Sequence, residues 1–298
     1  MNKPLVSILV LTYNHEAYIK ECLNGILNQK TNFDVEILVG NDCSTDKTHD
    51  FVEFYANKHS NIKLFEPNSN QFSKGIDLFA THLIPNAQGE YIAFCEGDDI
   101  WINEHKLQSQ IDFLRENPSY SMCFHDHCIN GDNTIVRMRY WTECDAHIGE
   151  TLHLNLYQTA TLVGKSSALK NSKFLSYYSH PLHKYSDVNI LSSFFAYGKV
   201  RHLVGDWSIY RLHQNSITAN DLKRGVSELI HIDCLQALAE CYPIVARTLL
   251  RDYRSLKLIQ ASCLCDISKW NALKLKVKAL MTSPILILRL YLIKYHLI

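Results

Sequence analysis

The sequence predicts an α/β chain built on a parallel sheet covered on both faces by helices, with a helical extension at its C-terminal end. Three observations carry this expectation. Strand-like and helix-like segments alternate with short connections through the first 125 residues. The strand-like runs are short and mainly apolar, the first almost wholly so, which is the pattern of strands buried on both faces. Polar clusters stand at the ends of three of these runs, and open parallel sheets hold their ligands beyond the carboxyl ends of the strands.

The first run, Leu5–Leu11, is rich in β-branched residues and ends at Thr12-Tyr13-Asn14. Glu16–Gln29 follows with Ala17, Ile19, Cys22, Leu23, Ile26 and Leu27 at helical spacing. Val35–Val39 is the second run, and Asn41-Asp42-Cys43-Ser44-Thr45-Asp46 closes it. Asp46 is placed to cap a helix through about Lys58 that buries Phe51, Phe54 and Tyr55. Ile62–Phe65 reads as a third strand, Phe72–Leu83 as a helix, and Tyr91–Cys95 as a fourth strand ending at Glu96-Gly97-Asp98-Asp99. Next come a helix over about Glu104–Glu116, a break at Pro118 and a strand near Tyr120–Phe124. Residues 125–165 are polar and turn-rich, with short β-like pieces. Asp187–Tyr197 reads as a helix, and Val200–Val204 and Trp207–Arg211 as strands. From about Asp221 to Asp266 the chain turns helical.

Composition narrows the function classes. With 47% hydrophobic and 20% charged residues over 298 positions, the chain has ample material for a core, so a disordered or collagen-like protein is excluded. Thirty basic residues balance thirty acidic ones, so whole-chain charge makes no case for a nucleic-acid partner. The ten cysteines include no CxxC pair and are irregularly spaced, which argues against a zinc ribbon and a disulfide framework. The N-terminus, Met1-Asn2-Lys3-Pro4, runs directly into the first strand without a charged-then-apolar leader. Together these set the expectation of a cytoplasmic protein.

Glu96-Gly97-Asp98-Asp99 places three carboxylates in four residues straight after a buried strand. Clustered carboxylates repel unless a cation or hydrogen-bond donors stabilise them. A divalent ion carrying a diphosphate fits, because Mg2+ and Mn2+ use few protein carboxylates and take further oxygens from phosphate. A solvated acidic turn capping the next helix is the plainer alternative.

The chain here resembles the family 2 glycosyltransferases of the GT-A fold. The matching segments are Val6 to His15 (VSILVLTYNH), Glu36 to Thr48 (EILVGNDCSTDKT) and Gly89 to Trp101 (GEYIAFCEGDDIW). The match is dense over the first 125 residues and sparse to about residue 218. It implies a Rossmann-like, mixed but mainly parallel sheet flanked by helices. Residues 1–218 would form the transferase domain, with a nucleotide-sugar-binding half (1–125) and an acceptor and catalytic half (126–218), and 219–298 a helical extension.

The resemblance also implies roles. Thr12 and Tyr13 line the base pocket, Tyr13 by stacking, and Asp42 accepts a hydrogen bond from the uracil N–H. Glu96 and Asp98 occupy the outer positions of the family's DxD motif, with Asp98 ligating Mn2+ or Mg2+, Glu96 assisting through the ribose or a metal-bound water, and Asp99 beside them. Three departures stand out. Asn41-Asp42 replaces the usual acidic pair, Glu96 replaces the first Asp, and the glycine common after the third strand is missing near Asn70-Gln71-Phe72.

Inverting sugar transfer requires a carboxylate to take the acceptor proton. The family places it at the start of a helix after the DxD region, where Asp187 stands in this chain; Asp206 competes. Trp101, Arg211 and His213 are candidate acceptor or diphosphate contacts, with burial under the next helix the alternative for Trp101. His125-Asp126-His127 lacks further zinc ligands and reads as an acceptor-side wall.

From Lys269 to Ile298 there are six basic residues and no acidic one, and Pro284–Ile298 is strongly apolar but too short to span a bilayer. Two readings stand open: a helix lying on the cytoplasmic face of the inner membrane, or one packed on the core or on a second copy in a homo-oligomer. The expected partners are a nucleotide-sugar donor, most simply a UDP-sugar, and a growing glycan of lipopolysaccharide, capsule or other lipid-linked kind. A nucleotidyltransferase is the rival enzyme, although no Gly-rich basic loop follows the first strand. A non-catalytic sugar-binding or scaffold protein of this fold is the third reading.

Overall fold

The structure is a computed structural model that describes residues 3–131, 134–138, 143–148, 151, 157–178 and 186–213, with scattered positions between 241 and 281. The expectations for the 219–298 extension and its basic apolar tail lie almost wholly outside the described residues. Among the described residues, no helix is long and apolar enough to cross a membrane.

Among the described residues, ten strands form one mixed sheet in the order β3-β2-β1-β4-β9-β6-β10-β5, with β7 paired to β6 and β8 to β10. The strands are β1 (Val6–Thr12), β2 (Val35–Asn41), β3 (Ile62–Phe65), β4 (Tyr91–Glu96), β5 (Ile100–Trp101), β6 (Tyr120–Gly131), β7 (Thr134–Met138), β8 (Cys144–Asp145), β9 (Val163–Lys165) and β10 (Lys199–Arg211). The longer α-helices among the described residues are α1 (Ile19–Leu27), α2 (Thr48–Lys58), α3 (Lys106–Glu116), α4 (Ser172–Tyr178) and α5 (Ser186–Tyr197). β1 lies parallel between β2 and β4, with Thr12 opposite Asn41 and Leu11 opposite Glu96. Strand order therefore reverses at β1, the place where such sheets open a crevice for ligands.

Alternation along β1 explains why the run is almost wholly apolar. Leu9 joins the core on one face with Leu38, Phe94 and Phe194. Ile8 and Val10 join the core on the other face with Leu23, Leu107 and Ile111. Helix α5 thus covers one face, and α1 and α3 cover the other.

Several boundaries differ from expectation. The Phe72–Leu83 segment is not one helix. A tight turn at Phe72–Lys74 ends where Gly75 takes a left-handed backbone (φ 72°), and the chain restarts as a wider turn over Phe79–Leu83. The Asp77 carboxylate caps that restart by accepting the Ala80 N–H at 2.7 Å. In α2, Thr48 and Val52 face the core, whereas Phe54 is 61% exposed. Strand β6 runs on to Gly131, through the polar stretch expected to be turns, because β10 and β7 pair with its two edges. The two expected strands after residue 199 are one strand, β10, with an irregularity between Leu203 and Ser208. The described cysteines are free thiols, including Cys22 and Cys95, whose sulfurs lie 3.7 Å apart in the core.

Candidate active site

The C-terminal ends of β1, β2 and β4 bring the three polar clusters to one rim. The first two are joined side chain to backbone. Asn14, in a left-handed conformation (φ 54°), donates its N–H to Ser44 Oγ at 2.9 Å and accepts the Thr45 N–H at 2.8 Å. Asp46 accepts the Glu16 N–H at 3.0 Å and the Thr48 N–H at 2.9 Å, so it ties α2 to the loop after β1. Asn41 donates to Glu66 at 2.6 Å, and Glu66 pairs with His49 at 2.6 Å. Asn41 therefore carries a hydrogen bond at the position where the family usually places an acid.

The expected donor-site residues fall into different environments. Tyr13 is 44% exposed just beyond the end of β1. Thr12 is buried beneath Gly97 and does not line an open pocket. Asp42 is also buried: its two carboxylate oxygens accept the N–H groups of Gln71 at 2.6 Å and Phe72 at 3.0 Å, and its carbonyl accepts Asn70 Nδ2 at 3.0 Å. In this structure Asp42 holds the loop after β3, and no missing glycine is needed for that loop to close on the rim.

The acidic cluster separates sharply. Asp98 Oδ2 lies 3.0 Å from His213 Nε2 and 3.7 Å from His15 Nε2. Burial works to raise its pKa, but the His213 hydrogen bond and the charge of His15 outweigh that, leaving Asp98 below the ordinary carboxylate value. Glu96 goes the other way. Burial, reinforced by the charges of Asp98 and Asp187, pushes it up to about 8, against a hydrogen bond with Thr159. Asp99 is fully buried, and burial together with Asp98 and Glu96 holds it well above its ordinary value; its Oδ1 accepts the Arg211 N–H at 3.1 Å. Asp98, flanked by two imidazoles, is thus the member of the cluster whose ionised form is favoured.

Gly97 makes this geometry feasible. A Cβ there would lie 2.6 Å from Thr12 Oγ1 and 3.0 Å from His15 Nδ1. Arg211 braces the cluster from outside by donating to the Asp98 carbonyl at 3.0 Å, pairing with Glu21 and lying 5.4 Å over the Tyr18 ring. It therefore steadies the DxD backbone, whereas the sequence offered it as a phosphate contact. Tyr18 in turn lies 4.8 Å from the His213 ring. His15, Tyr18, Glu21 and Gly97 were given no role by sequence reasoning; His15 and Gly97 lie inside the matching segments, but β1, α1, β4 and β10 converge only in the fold.

Asp187 opens α5. It accepts the Tyr157 hydroxyl at 2.9 Å and the N–H of Val188 at 2.9 Å, and its charge is felt at Glu96. Asp206 lies on β10, where its charge acts on His127.

Two expectations on the acceptor side need correction. Trp101 is 2% exposed, with its indole N–H on the Ala160 carbonyl at 2.9 Å and the Lys106 ammonium 3.9 Å from its ring. A sugar platform needs an open aromatic face, and this one is covered. His125 and His127 are buried too and form no exposed wall. Burial drives both imidazole pKa values down, that of His127 to about 4. Between them Asp126 binds His202 at 2.9 Å and the Gly205 N–H at 3.1 Å, joining β6 to β10.

The sequence profile of Glycosyl transferase family 2 matches residues 7–177, more than half of the chain. The chain belongs to glycosyl transferase family 2. Among curated proteins, this family 2 chain is 38% identical over 120 residues to an uncharacterized protein of Mycobacterium tuberculosis, an alignment covering 40% of this chain and 34% of that one. It is 36% identical over 128 residues to the poly(ribitol-phosphate) beta-N-acetylglucosaminyltransferase TarS of Staphylococcus aureus, covering 42% of this chain and 21% of TarS. The matched segments thus span about a third or less of these two relatives. Among solved structures, TarS residues 1–349 in complex with UDP-GlcNAc superpose with a TM-score of 0.60 at 20% identity, over 92% of this chain and 79% of that one. The mannosyltransferase PcManGT of Pyrobaculum calidifontis, in complex with GDP-Man and Mn2+, superposes with a TM-score of 0.55 at 16% identity, over 95% and 82%. These likenesses establish the GT-A-like fold of the family 2 chain, a mixed, mainly parallel sheet with flanking helices.

Proposed function

We propose that this family 2 glycosyltransferase is an inverting, metal-dependent enzyme that moves a sugar, most simply a hexose from a UDP-sugar, onto a hydroxyl of a growing cell-surface glycan. The observation that carries the reading is the pair of carboxylates on one rim with different duties. Asp98 lies beside two imidazoles at the switch point of the sheet, and the charge of Asp187, at the head of α5, acts on Glu96 two residues away from it. The UDP and UDP-GlcNAc complexes of TarS, and the polymer acceptor in its name, support the choice of donor and acceptor class.

Asp98 and His213 are the residues that would hold Mn2+ or Mg2+, and one carboxylate with an imidazole suits Mn2+ better than Mg2+. When bound, the cation offsets negative charge on the departing nucleoside diphosphate. Tyr13 offers a ring for the base. Asp187 takes the proton of the acceptor hydroxyl as that oxygen bonds to the anomeric carbon and the bond from that carbon to the diphosphate oxygen breaks. The Tyr157 hydroxyl and the Val188 N–H occupy one Asp187 oxygen each, which fixes the carboxylate and leaves further lone pairs for the acceptor.

The test is transfer by Asp187→Asn assayed across UDP-sugars. A loss of about 100-fold or more in turnover, with UDP affinity unchanged, is the expected signature of a lost general base. Asp206→Asn should leave turnover near the parent value. Equal turnover in Asp187→Asn and parent would remove Asp187 from the chemistry, whereas donor binding with no turnover in the parent chain across a broad acceptor panel would favour a non-catalytic sugar-binding protein. Release of inorganic diphosphate from a nucleoside triphosphate supplied with a sugar 1-phosphate, and no transfer from UDP-sugars, would favour a nucleotidyltransferase.

A further inference from the structure

His15 has no part in the reading above, yet it faces the same carboxylate. One ligand atom from each of His15, Asp98 and His213 lies within 4.8 Å of the other two. We propose that His15 is a third protein ligand of the cation site, so that this chain binds a manganese-type ion before any nucleotide arrives and discriminates against magnesium. The inference rests on the donor-site reading only for placing the ion at Asp98.

The chemistry of the donor set supports it. Magnesium dehydrates reluctantly and is usually held by one or two carboxylates with phosphate oxygens completing the shell. A site with one protein carboxylate would then depend on the nucleotide to close it. Two imidazole nitrogens change that balance, since nitrogen ligands suit manganese, cobalt and zinc far better than magnesium. Three protein ligands also leave open positions for two diphosphate oxygens and water.

The surroundings hold His15 in place. Its backbone N–H donates to Thr48 Oγ1 at 2.8 Å, and the edge of its ring faces Tyr18 at 6.3 Å. Tyr18 also lies against His213, so one aromatic ring orients both imidazoles. Two buried polar atoms nearby have no hydrogen-bond partner, His15 Nδ1 and Thr12 Oγ1. Both lie within 3.0 Å of the point that a Gly97 Cβ would occupy. A metal-ligating histidine needs an acceptor for its other ring N–H. The Thr12 hydroxyl, itself without a partner, is the candidate acceptor, and the absence of a side chain at Gly97 leaves the space beside both atoms open.

The test titrates the purified full chain with Mn2+ and follows the free-ion signal by electron paramagnetic resonance, without nucleotide. One equivalent should bind with a dissociation constant in the micromolar range, and a hundredfold excess of Mg2+ should not displace it. His15→Ala should weaken binding at least ~10-fold and Thr12→Val several-fold, the effects expected of lost ligands and supporting partners. Pulsed measurement of nitrogen couplings on the parent protein supplies a readout that needs no variant to fold: two imidazole nitrogens are expected on the ion. One nitrogen, or equal Mn2+ affinity in His15→Ala and parent, overturns the proposal. Mn2+ that binds only once UDP is added also overturns it while leaving the donor site standing. No binding of Mn2+ or UDP in any combination defeats both readings.

Discussion

Glu96 and Asp98 are two residues apart in a motif that presents them as equivalents, but the fold gives them opposite charge states. Asp98 receives two imidazoles, whereas Glu96 is enclosed between Thr159, Asp98 and Asp187 with burial favouring its protonated form. A neutral amide therefore mimics the resting state of Glu96 and not that of Asp98. We predict that Glu96→Gln keeps Mn2+ affinity and turnover within about threefold of the parent. Asp98→Asn should lose Mn2+ binding and at least ~100-fold in turnover, the scale of losing one electrostatic contact to the transition state. Calorimetry with Mn2+ and steady-state assays on both variants check this. The motif itself was legible, because three carboxylates after an apolar run require a compensating partner. Its division of labour was not legible, because His15 and His213 reach Asp98 from positions 83 and 115 residues away.

At the scale of elements, α3 shows how a residue expected on a surface is drawn inside. Lys106 begins this helix, is fully buried, donates to Gln110 at 2.8 Å and covers the Trp101 ring at 3.9 Å. Burial pushes its pKa down to about 7 from an ordinary 10.5. The unfolded chain therefore takes up this proton at higher pH than the folded one. The Lys106 contribution to stability is complete above about 10.5 and is lost progressively as pH falls to about 7. Lys106→Met removes the titration while keeping the volume. Its stability relative to the parent should be most favourable at pH 7 and decline steadily towards pH 10, measured by urea unfolding at several pH values. A difference that does not change with pH would contradict the assignment. The periodicity of α1, α3 and α5 was readable from the sequence, since apolar residues recur on one face. The failures came where a local cap outweighed it, as when Gly75 and Asp77 divided the expected helix after β3, and where a neighbour covered an aromatic, as Lys106 does Trp101.

Across the whole molecule, strands β1 to β4 and their parallel packing were legible because each is a short, mainly apolar run in an alternating strand–helix pattern. The other half was not, because β9 has three residues and gains its identity only by bridging β4 to β6 antiparallel to both. That bridge also sets the height of α5, since a Cβ on Gly164 would sit 2.3 Å from Phe194 Cε1. The catalytic-side helix can thus approach the sheet only where β9 lacks a side chain. Gly164→Ala is expected to cost roughly 1–3 kcal/mol of stability through overpacking. By displacing Asp187 it should lower turnover more than UDP affinity, so kcat falls while the dissociation constant for UDP holds. A variant that loses stability with unchanged kcat would separate α5 position from catalysis.

The central claim is that the rim formed by β1, β2 and β4 is a cation-dependent site for a nucleoside diphosphate. Calorimetric titration of the full chain with UDP, with and without Mn2+, tests it most directly, with GDP and CMP as comparisons. The account predicts UDP binding that requires Mn2+ and disappears in Asp98→Ala while the fold persists. UDP binding of equal strength without Mn2+ and in Asp98→Ala, or no nucleotide binding under any condition, would contradict it.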